Sequence, residues 1–356
     1  MSATLPATMR AWRTHEYGAP MDVLKLDEVE VPEPAAGEVL VRALGIPFNL
    51  NDLERITGGN MMVRPELPYS PGMETMGIVA ACGPGTEALL GRRVVAITQQ
   101  AHGGFAEYAI CPAVSAFEMP ESIPLPDAAA LFFPFHLAWL GLFDRAELQA
   151  GETVLIHAAA GGAGSAAIQL AVDAGAHVIA TVGSDDKVQL CRDLGAQTVV
   201  NYSSEEFATV CLEQTDGRGV DVVYDNVGEA VMEDSFKSLA YNGRYLMMGF
   251  ASDKTVADEK SLVPRRIALG NFKLCGVMLS YADTERQAMM KGLLGWNLPS
   301  DRLGAEIMRT VVDLVEAGRV RAVVGRVVEF EEIPEAITAM ANRETVGRVV
   351  VKLWDD

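Results

Sequence analysis

The chain has 356 residues, of which 49% are hydrophobic and 22% are charged, a composition typical of a folded globular protein rather than a disordered one. Its 29 basic and 48 acidic residues give a net charge of -19, which disfavours nucleic acid and anionic membrane surfaces as partners. No apolar run approaches transmembrane length, and five scattered cysteines indicate reduced thiols in a cytoplasmic protein. The length predicts two domains.

The first third of the chain, from residue 9 to about residue 123, consists of short apolar runs broken by glycine and proline. Segments 38–43 and 93–97 have the length and composition of strands, and turn pairs such as Gly103-Gly104 separate them. This pattern predicts a β-rich domain of short strands.

The middle of the chain, from about residue 127 to residue 249, alternates strands and helices. We predict strands at 154–156, 177–182, 198–200, 220–224, 244–248 and 272–279, and helices at 165–174, 187–194 and 232–239. Apolar strands alternating with amphipathic helices predict a parallel sheet covered on both faces.

The tail returns to a mixed pattern. We predict a long helix at 302–317, a short helix at 334–341, and strands at 323–330 and 348–353. We expect this tail to rejoin the first domain.

A glycine turn follows the first strand of the middle region and opens its first helix. It contains Ala159, Gly161, Gly162, Ala163 and Gly164. The first small residue allows a tight turn, the second lets the backbone approach a pyrophosphate, and the third lets helix and strand pack closely. The amide groups at the helix start would then face the anion. We favour this dinucleotide-binding interpretation over a turn that serves packing alone.

The end of the second strand distinguishes the two nicotinamide cofactors. Sites for NAD usually carry an acidic residue there, whereas this strand ends in Gly183-Ser184. Ser184 can donate a hydrogen bond and Lys187 can supply charge, so NADPH fits better. In the simpler interpretation, Ser184 caps the following helix and Lys187 is a solvated residue. Asp185 and Asp186 argue against a phosphate, although acids are normal in a first helical turn.

At these residues the chain resembles the zinc-independent quinone oxidoreductase (zeta-crystallin-like) branch of the medium-chain dehydrogenase/reductase superfamily. The resemblance lies in segments 157–171, 180–187, 194–196, 201–202, 225–228 and 103–108. It implies an α/β fold in which a Rossmann nucleotide-binding domain, residues 128–300, is inserted into a GroES-like catalytic domain with a partly open β-barrel. The catalytic domain would comprise residues 1–127 and 301–356, with the substrate in the cleft.

The resemblance also implies roles for individual residues. Lys187 and Tyr202 would hold the adenosine 2′-phosphate of NADPH, although Tyr202 could instead be a packing residue. The nicotinamide side would be lined by Asn226, Gly249, Phe250, Ala251 and Ser252. Segment 272–279 resembles the edge strand through which relatives pair, so we expect a homodimer.

Zinc-dependent relatives need a catalytic cysteine, a His-Glu pair and a further ligand, together with a lobe of four cysteines. This chain has Gly72-Met73-Glu74 where the pair would stand, and the cysteine lobe is absent. We therefore expect neither catalytic nor structural zinc, and we interpret Glu74 as a structural carboxylate. Without a Lewis acid, hydrogen-bond donors must polarise the substrate, which favours activated acceptors such as quinones and α,β-unsaturated carbonyls.

Two residues are candidates for contact with the substrate. Asn49 lies in a segment similar to one in enoyl thioester reductases, and it would polarise a carbonyl or orient the carboxamide, or else stabilise a turn. The proton-donating tyrosine of those enzymes has no counterpart at residues 58–62. His136 could donate a hydrogen bond or a proton, but a histidine among aromatic residues is more often a packing residue.

Three functional hypotheses result. The first is an NADPH-dependent reductase of quinones or α,β-unsaturated carbonyls, acting on a small apolar or aromatic substrate. The second is a 2-enoyl-thioester (enoyl-CoA) reductase. The third, from another class, is a non-catalytic NADPH-binding sensor or structural protein.

Overall fold

The computed structural model describes residues 5–59, 64–249 and 264–353. Within them the chain divides into two compact units, one formed by Met1–Phe132, Ser280–Val312 and Val324–Asp356, the other by Phe133–Leu279 and Asp313–Val323. The first unit is therefore built from both ends of the chain. The domain boundaries expected at 127/128 and 300/301 stay a prediction.

The described residues form fifteen strands. They are β1 (Thr8–Thr14), β2 (Leu24–Glu30), β3 (Glu38–Pro47), β4 (Glu74–Cys82), β5 (Arg93–Ile97), β6 (Tyr108–Pro112), β7 (Ala116–Glu118), β8 (Thr153–Ile156), β9 (His177–Val182), β10 (Thr198–Asn201), β11 (Val220–Asp225), β12 (Leu239–Met247), β13 (Lys273–Gly276), β14 (Val324–Glu329) and β15 (Arg348–Lys352).

Twelve α-helices lie in the same described ranges. They are α1 (Pro20–Val23), α2 (Leu50–Thr57), α3 (Asp127–Ala130), α4 (Phe132–Trp139), α5 (Gly162–Asp173), α6 (Val188–Asp193), α7 (Phe207–Glu213), α8 (Glu229–Ser238), α9 (Pro264–Gly270), α10 (Thr284–Leu294), α11 (Asp301–Glu316) and α12 (Ile333–Ala341). None of the helices in these ranges is both long and apolar enough to cross a membrane.

The first unit is organised around a sheet with the order β14-β15-β3-β4-β5-β7, with β6 also paired to β3. Strand β3 pairs with β4, β6 and β15, always antiparallel, and so joins the N-terminal strands to the tail. Its core includes Ile46, Phe105, Ile333 and Val351, which are fully buried. The expected return of the tail to the first domain is confirmed.

The second unit contains a six-stranded parallel sheet with the order β10-β9-β8-β11-β12-β13. Numbered within the unit, this is the order 3-2-1-4-5-6 of the dinucleotide-binding fold. Strand β8 is buried along its whole length, as expected for a central parallel strand. The six strands predicted from residues 154 to 279 are all present.

Helices in two parts of the first unit were not predicted. Helix α2 interrupts the region interpreted as purely β, and α10 follows the last strand of the second unit. Helix α10 buries none of its residues, and apolar periodicity therefore gave no signal for it.

Candidate active site

The glycine turn connects β8 to α5. Ala158 adopts a positive φ of 51°, and the backbone N–H of Ala159 then donates to the Thr181 carbonyl at 3.1 Å. Gly161 is the N-terminal cap of α5, and its N–H donates to Ala158 at 3.0 Å. The turn thus runs between the ends of β8 and β9 before the helix begins.

The first turn of α5 can bind an anion. The N–H groups of Gly162, Ala163 and Gly164 precede the first residue that can bond within the helix, so they need partners from elsewhere. Gly161, Gly162 and Ala163 are only half-buried, which leaves this end of the helix accessible. All five residues predicted for the turn are therefore brought together in the predicted arrangement.

Gly164 packs against the turn. A Cβ built on it would lie 2.4 Å from the Ala158 carbonyl oxygen and 2.7 Å from the Ala159 Cα. No real side chain tolerates these distances from backbone atoms. By contrast, a Cβ on Gly161 would meet only the Ala158 oxygen, at 3.3 Å. Helix–strand packing therefore requires Gly164, whereas the open side of Gly161 leaves room for a ligand.

His157 supports the turn, a role that sequence reasoning did not identify. Its Nδ1 lies 2.9 Å from Thr181 Oγ1 and its Nε2 lies 2.8 Å from Ser235 Oγ. Because Ser235 donates its own proton to the Val231 carbonyl, Nε2 carries the ring proton and Nδ1 accepts. Burial lowers the pKa of His157 to about 3, so the neutral ring joins β8, β9 and α8.

The end of β9 lies beside the end of β10. A Cβ on Gly183 would lie 2.5 Å from the Tyr202 hydroxyl, so Tyr202 extends across Gly183 and would have to move if a side chain stood there. The Tyr202 N–H donates to Val182 at 3.1 Å, and Ser203 Oγ donates to Gly183 at 2.8 Å. Lys187 closes a short helical turn that begins at Ser184. Ser184, Lys187 and Tyr202 therefore come from two adjoining loops, as the predicted 2′-phosphate site requires.

The loop after β11 is held by the carboxylate of Asp225. Its Oδ1 accepts from the N–H groups of Val227 and Gly228, at 2.7 and 3.0 Å, and its Oδ2 accepts from the Tyr245 hydroxyl. Burial raises the pKa of Asp225 to about 6, although these donors oppose the shift. By accepting these hydrogen bonds, the Asp225 carboxylate fixes the conformation of the loop that contains Asn226.

Asn226 and Gly249 are in contact, as the predicted nicotinamide side requires. A Cβ on Gly249 would lie 2.4 Å from the Asn226 carbonyl carbon, so glycine is needed for this approach. Asn226 Nδ2 is buried, and among the described residues it makes no hydrogen bond of full geometry. The Asn226 side chain does interact with that of Tyr224, where it opposes the rise that burial causes in the Tyr224 pKa. A buried amide of this kind could donate to an atom of a bound ligand. Phe250 and Ser252, predicted for the same side, lie outside the described residues.

Asn49 lies in the first unit, at the start of α2, within a buried network. Arg348 Nη1 donates to Asn49 Oδ1 at 2.8 Å, and Asn49 Nδ2 donates to Glu74 Oε2 at 3.1 Å. Arg348 Nη2 and Glu74 Oε2 form an ion pair at 2.5 Å, with side chains 6% and 0% exposed. Since arginine only donates and carboxylate only accepts, the amide orientation is fixed. One N–H of Nδ2 remains after the bond to Glu74.

Asp52 holds the backbone at this helix start. Its Oδ2 accepts from the Asn49 N–H at 2.8 Å and its Oδ1 from the Met73 N–H at 2.9 Å. Burial raises the pKa of Asp52 to about 6, with these hydrogen bonds and Arg55 opposing the shift. Sequence reasoning identified Asn49 and a structural Glu74, but it missed Asp52 and Arg348. The catalytic role of Asn49 stays a prediction.

His136 lies in α4 and is fully buried. Burial lowers its pKa to about 3, so the imidazole is neutral near pH 7. A neutral ring can donate a hydrogen bond but is a weak proton source. The donor role proposed from the sequence therefore fits His136 better than the proton role, and both stay predictions.

Residues 71–74 do not form part of a recognisable metal centre. Within residues 5–59, 64–249 and 264–353, no group of three or more His, Cys, Asp or Glu side chains converges to hold a metal ion. The carboxylate of Glu74 is engaged by Asn49 and Arg348. The absence of zinc expected from the sequence stays a prediction.

Comparison with known proteins assigns the family. A family described as "Alcohol dehydrogenase GroES-like domain" matches residues 35–121, and one described as "Zinc-binding dehydrogenase" matches residues 162–295. A quinone oxidoreductase of Rattus norvegicus is 31% identical over 307 residues, which are 83% of this chain and 90% of that protein. The chain belongs to the quinone oxidoreductase branch of the medium-chain dehydrogenase/reductase superfamily.

Two further relatives support the same family assignment. Prostaglandin reductase-3 of Mus musculus is 32% identical over 331 residues, which are 91% of this chain and 83% of that protein. A mycobacterial protein solved in complex with NADPH superposes with a TM-score of 0.82 at 28% identity, covering 97% of this chain and 99% of that one. The predicted Rossmann and GroES-like fold is confirmed, and the chain is an oxidoreductase-family protein with a nicotinamide cofactor.

Proposed function

We propose that this member of the quinone oxidoreductase branch uses NADPH to reduce a small apolar or aromatic quinone or α,β-unsaturated carbonyl. The observation that carries the proposal is the end of β9, where Tyr202 crosses Gly183 and the neighbouring loop supplies Ser184 and Lys187. The strand itself does not end in a carboxylate. A ribose 2′-phosphate would meet the Lys187 cation and the Ser184 hydroxyl, which would turn to it from Asp186.

The pyrophosphate would bind at the N–H groups of Gly162, Ala163 and Gly164, with the dipole of α5 favouring the negative charge. Ala159 and Gly161 would form the wall of the turn. Asn226 Nδ2 supports a nicotinamide on its side of the sheet, because it is a buried donor that makes no full hydrogen bond among the described residues. Bound NADPH would supply a hydride, and the chain's own residues would bind and orient the cofactor and the substrate.

Asn49 would polarise the substrate. Its orientation is imposed by Arg348 and Glu74, so the remaining N–H is held without a cost in side-chain entropy when substrate binds. As negative charge develops on the carbonyl oxygen during reduction, a pre-positioned donor stabilises the transition state more than the ground state. His136 would serve as a second, neutral donor, and solvent would supply the proton.

The test is NADPH oxidation by the purified full chain with a panel of acceptors. We expect turnover with at least one naphthoquinone, phenanthrenequinone, chalcone or aliphatic enone, and weak or no turnover with crotonyl-CoA. Efficient reduction of crotonyl-CoA alone would favour the enoyl-thioester reductase. NADPH binding measured by calorimetry, without turnover of any acceptor, would favour the non-catalytic binding protein.

We also propose a homodimer formed through β13. This strand is at the edge of the parallel sheet and pairs only with β12 along the described sheet. The same unit exposes two large apolar side chains, Tyr241 at 76% and Leu269 at 73%. Light scattering at micromolar concentration should give twice the mass of one chain, and a monomeric mass would contradict the proposal.

A further inference from the structure

Two carboxylates stand beside the proposed 2′-phosphate site. Asp185 and Asp186 directly follow Ser184, and both are exposed. An acidic residue in this part of a dinucleotide fold accepts hydrogen bonds from the ribose hydroxyls of NADH and repels the 2′-phosphate of NADPH. The chain is acidic overall, so neither residue is needed to balance an excess of positive charge. Their position requires an explanation if NADPH is the cofactor.

Asp185 is bound to the next strand. Asn201 is the last residue of β10, and its Nδ2 donates to Asp185 Oδ1 at 2.7 Å. The other end of the same amide, Oδ1, accepts from the Ser203 N–H at 3.0 Å. Because the backbone group can only donate, the amide nitrogen must face the carboxylate. Asn201 is 9% exposed, so its position is fixed by its surroundings.

Asp186 is held differently. Its carboxylate accepts a hydrogen bond from the Ser184 side chain, which lowers the pKa of Asp186, and the group lies in solvent. Water and salt screen both exposed carboxylates alike, over about 8–10 Å at moderate ionic strength. The two acids therefore differ in how their carboxylates are held. Only the carboxylate of Asp185 is bound by a buried residue of another strand, Asn201 of β10.

We propose that Asn201 is a specificity-determining positioning residue. It anchors the Asp185 carboxylate at the end of β10 and so prevents it from turning toward the ribose, where it would bind the hydroxyls of NADH. This inference rests on the proposed use of NADPH. It assigns the choice between the cofactors to a residue on the third strand, β10, in addition to Ser184 and Lys187 in the loop after the second strand, β9.

The experiment is a double-mutant cycle. Dissociation constants for NADPH and NADH are measured by calorimetry on the full chain for the wild type, Asn201→Ala, Asp185→Asn and the double variant. Asn201→Ala should lower the ratio of NADPH to NADH affinity about tenfold, which is within the range for contacting residues. Asp185→Asn alone should change the ratio about twofold or less. The double variant should return to within about twofold of the wild type.

Asp186→Asn is the matched control. It removes the same charge from the neighbouring position, together with the acceptor of the Ser184 hydroxyl, so a general electrostatic effect would appear here as well. Its effect on the ratio of NADPH to NADH affinity should be the same with and without Asn201→Ala, because no contact couples residues 186 and 201 among the described residues. Coupling of Asp186→Asn to Asn201→Ala as strong as that of Asp185→Asn would overturn the assignment to Asp185.

If Asn201→Ala does not fold, Asn201→Asp tests the same proposal. Asn201→Asp keeps an acceptor for the Ser203 N–H but places a carboxylate against Asp185, so it should lower the preference in the same direction. Adding Asp185→Asn restores a donor–acceptor pair and should restore the ratio. If either variant at position 201 weakens NADPH and NADH equally, the residue is structural and the inference is wrong. A wild type that prefers NADH would instead refute the proposed cofactor, which separates the two failures.

Discussion

The glycine turn of the second unit is formed by residues that are close together in the sequence, whereas the Asn49 network of the first unit is formed by residues that are far apart. The turn takes its residues from one short stretch after β8, whereas the network joins Asn49 to Arg348, 299 residues away. The turn depends on backbone space, because Gly164 faces the Ala158 carbonyl. The network depends on charge, because a buried guanidinium faces a buried carboxylate. The spacing of glycines in the sequence can therefore reveal a nucleotide-binding turn. A buried network of the Asn49 kind becomes visible only in the folded chain.

The largest effect should follow from removing the buried cation. Arg348→Met leaves the Glu74 carboxylate, 0% exposed, without its counter-charge, and we expect a loss of about 3–5 kcal/mol in the free energy of unfolding. Denaturant unfolding of the full chain, wild type and variant, measures this change in the free energy of unfolding. Adding Glu74→Gln should recover part of the loss, because the uncompensated charge is then gone.

Arg326→Met is the control for this prediction. Arg326 lies on β14, next to the strand that carries Arg348, and its ion pair with Glu332 at 3.6 Å is 47% exposed on both sides. Its removal should cost about 0–1 kcal/mol. If the two variants unfolded at the same denaturant concentration, the network would not be the electrostatic site described above.

The next effect concerns catalysis in the same network. Asn49→Ala removes the oriented N–H donor, and we expect kcat with the best quinone or enone to fall about 100-fold, as for loss of one pre-positioned donor. The NADPH dissociation constant should stay unchanged if Asn49 acts on the substrate. A weaker affinity for NADPH would instead favour a contact with the carboxamide.

Asn51→Ala, two residues further along the chain and within α2, is the matched variant for Asn49→Ala. It should retain full activity, because no side-chain contact of Asn51 takes part in the network. Unaltered kcat in Asn49→Ala would remove Asn49 from the mechanism and leave Arg348 and Glu74 as purely structural residues.

The third effect tests the glycine turn. In Gly164→Ala the new methyl would lie 2.4 Å from a backbone oxygen, so the turn must shift, at a cost of about 1–3 kcal/mol. We expect a lower thermal midpoint and an NADPH affinity reduced about tenfold, since that shift displaces the N–H groups at the start of α5. Thermal unfolding measures the midpoint, and fluorescence titration measures the affinity for NADPH.

Gly292→Ala makes the same change in helix α10, where a Cβ would meet nothing within 4 Å. It should leave stability unchanged or raise it by up to about 1 kcal/mol, because alanine favours a helix. If Gly164→Ala behaved like Gly292→Ala, the close packing of helix and turn would not be needed for nucleotide binding.

The same contrast explains what could be predicted from the sequence. The parallel sheet, its six strands and the turn followed from apolar periodicity and from glycine spacing, both of which are local. Asn49 was found as a candidate, but the orientation of its amide was not, because Arg348 belongs to a strand at the other end of the chain. His157 was also missed as a support, since its partners Thr181 and Ser235 lie on other elements. Helix α2 was missed although its signal is local, since Leu50, Leu53 and Ile56 recur at helical spacing and Asn49 with Asp52 forms a capping box.

The smallest effect is a dependence of the folding stability on pH. Burial lowers the pKa of His136 and His157, both in the second unit, to about 3. The unfolded chain binds protons at these histidines below its ordinary pKa of about 6.5, so each should cost about 1 kcal/mol of stability between pH 7.5 and 5.5. Burial has the opposite consequence at Asp52 and Asp225, whose pKa values near 6 favour the folded state as the pH falls toward 4.

The wild-type slope therefore combines opposing contributions, and a variant is needed to isolate one of them. In His136→Gln the loss of stability between pH 7.5 and 5.5 should be smaller than in the wild type by about 1 kcal/mol, whatever the variant's stability at pH 7.5. Equal slopes in the two proteins would show that His136 takes up a proton in the folded state, and the argument for a neutral donor at that position would then be lost.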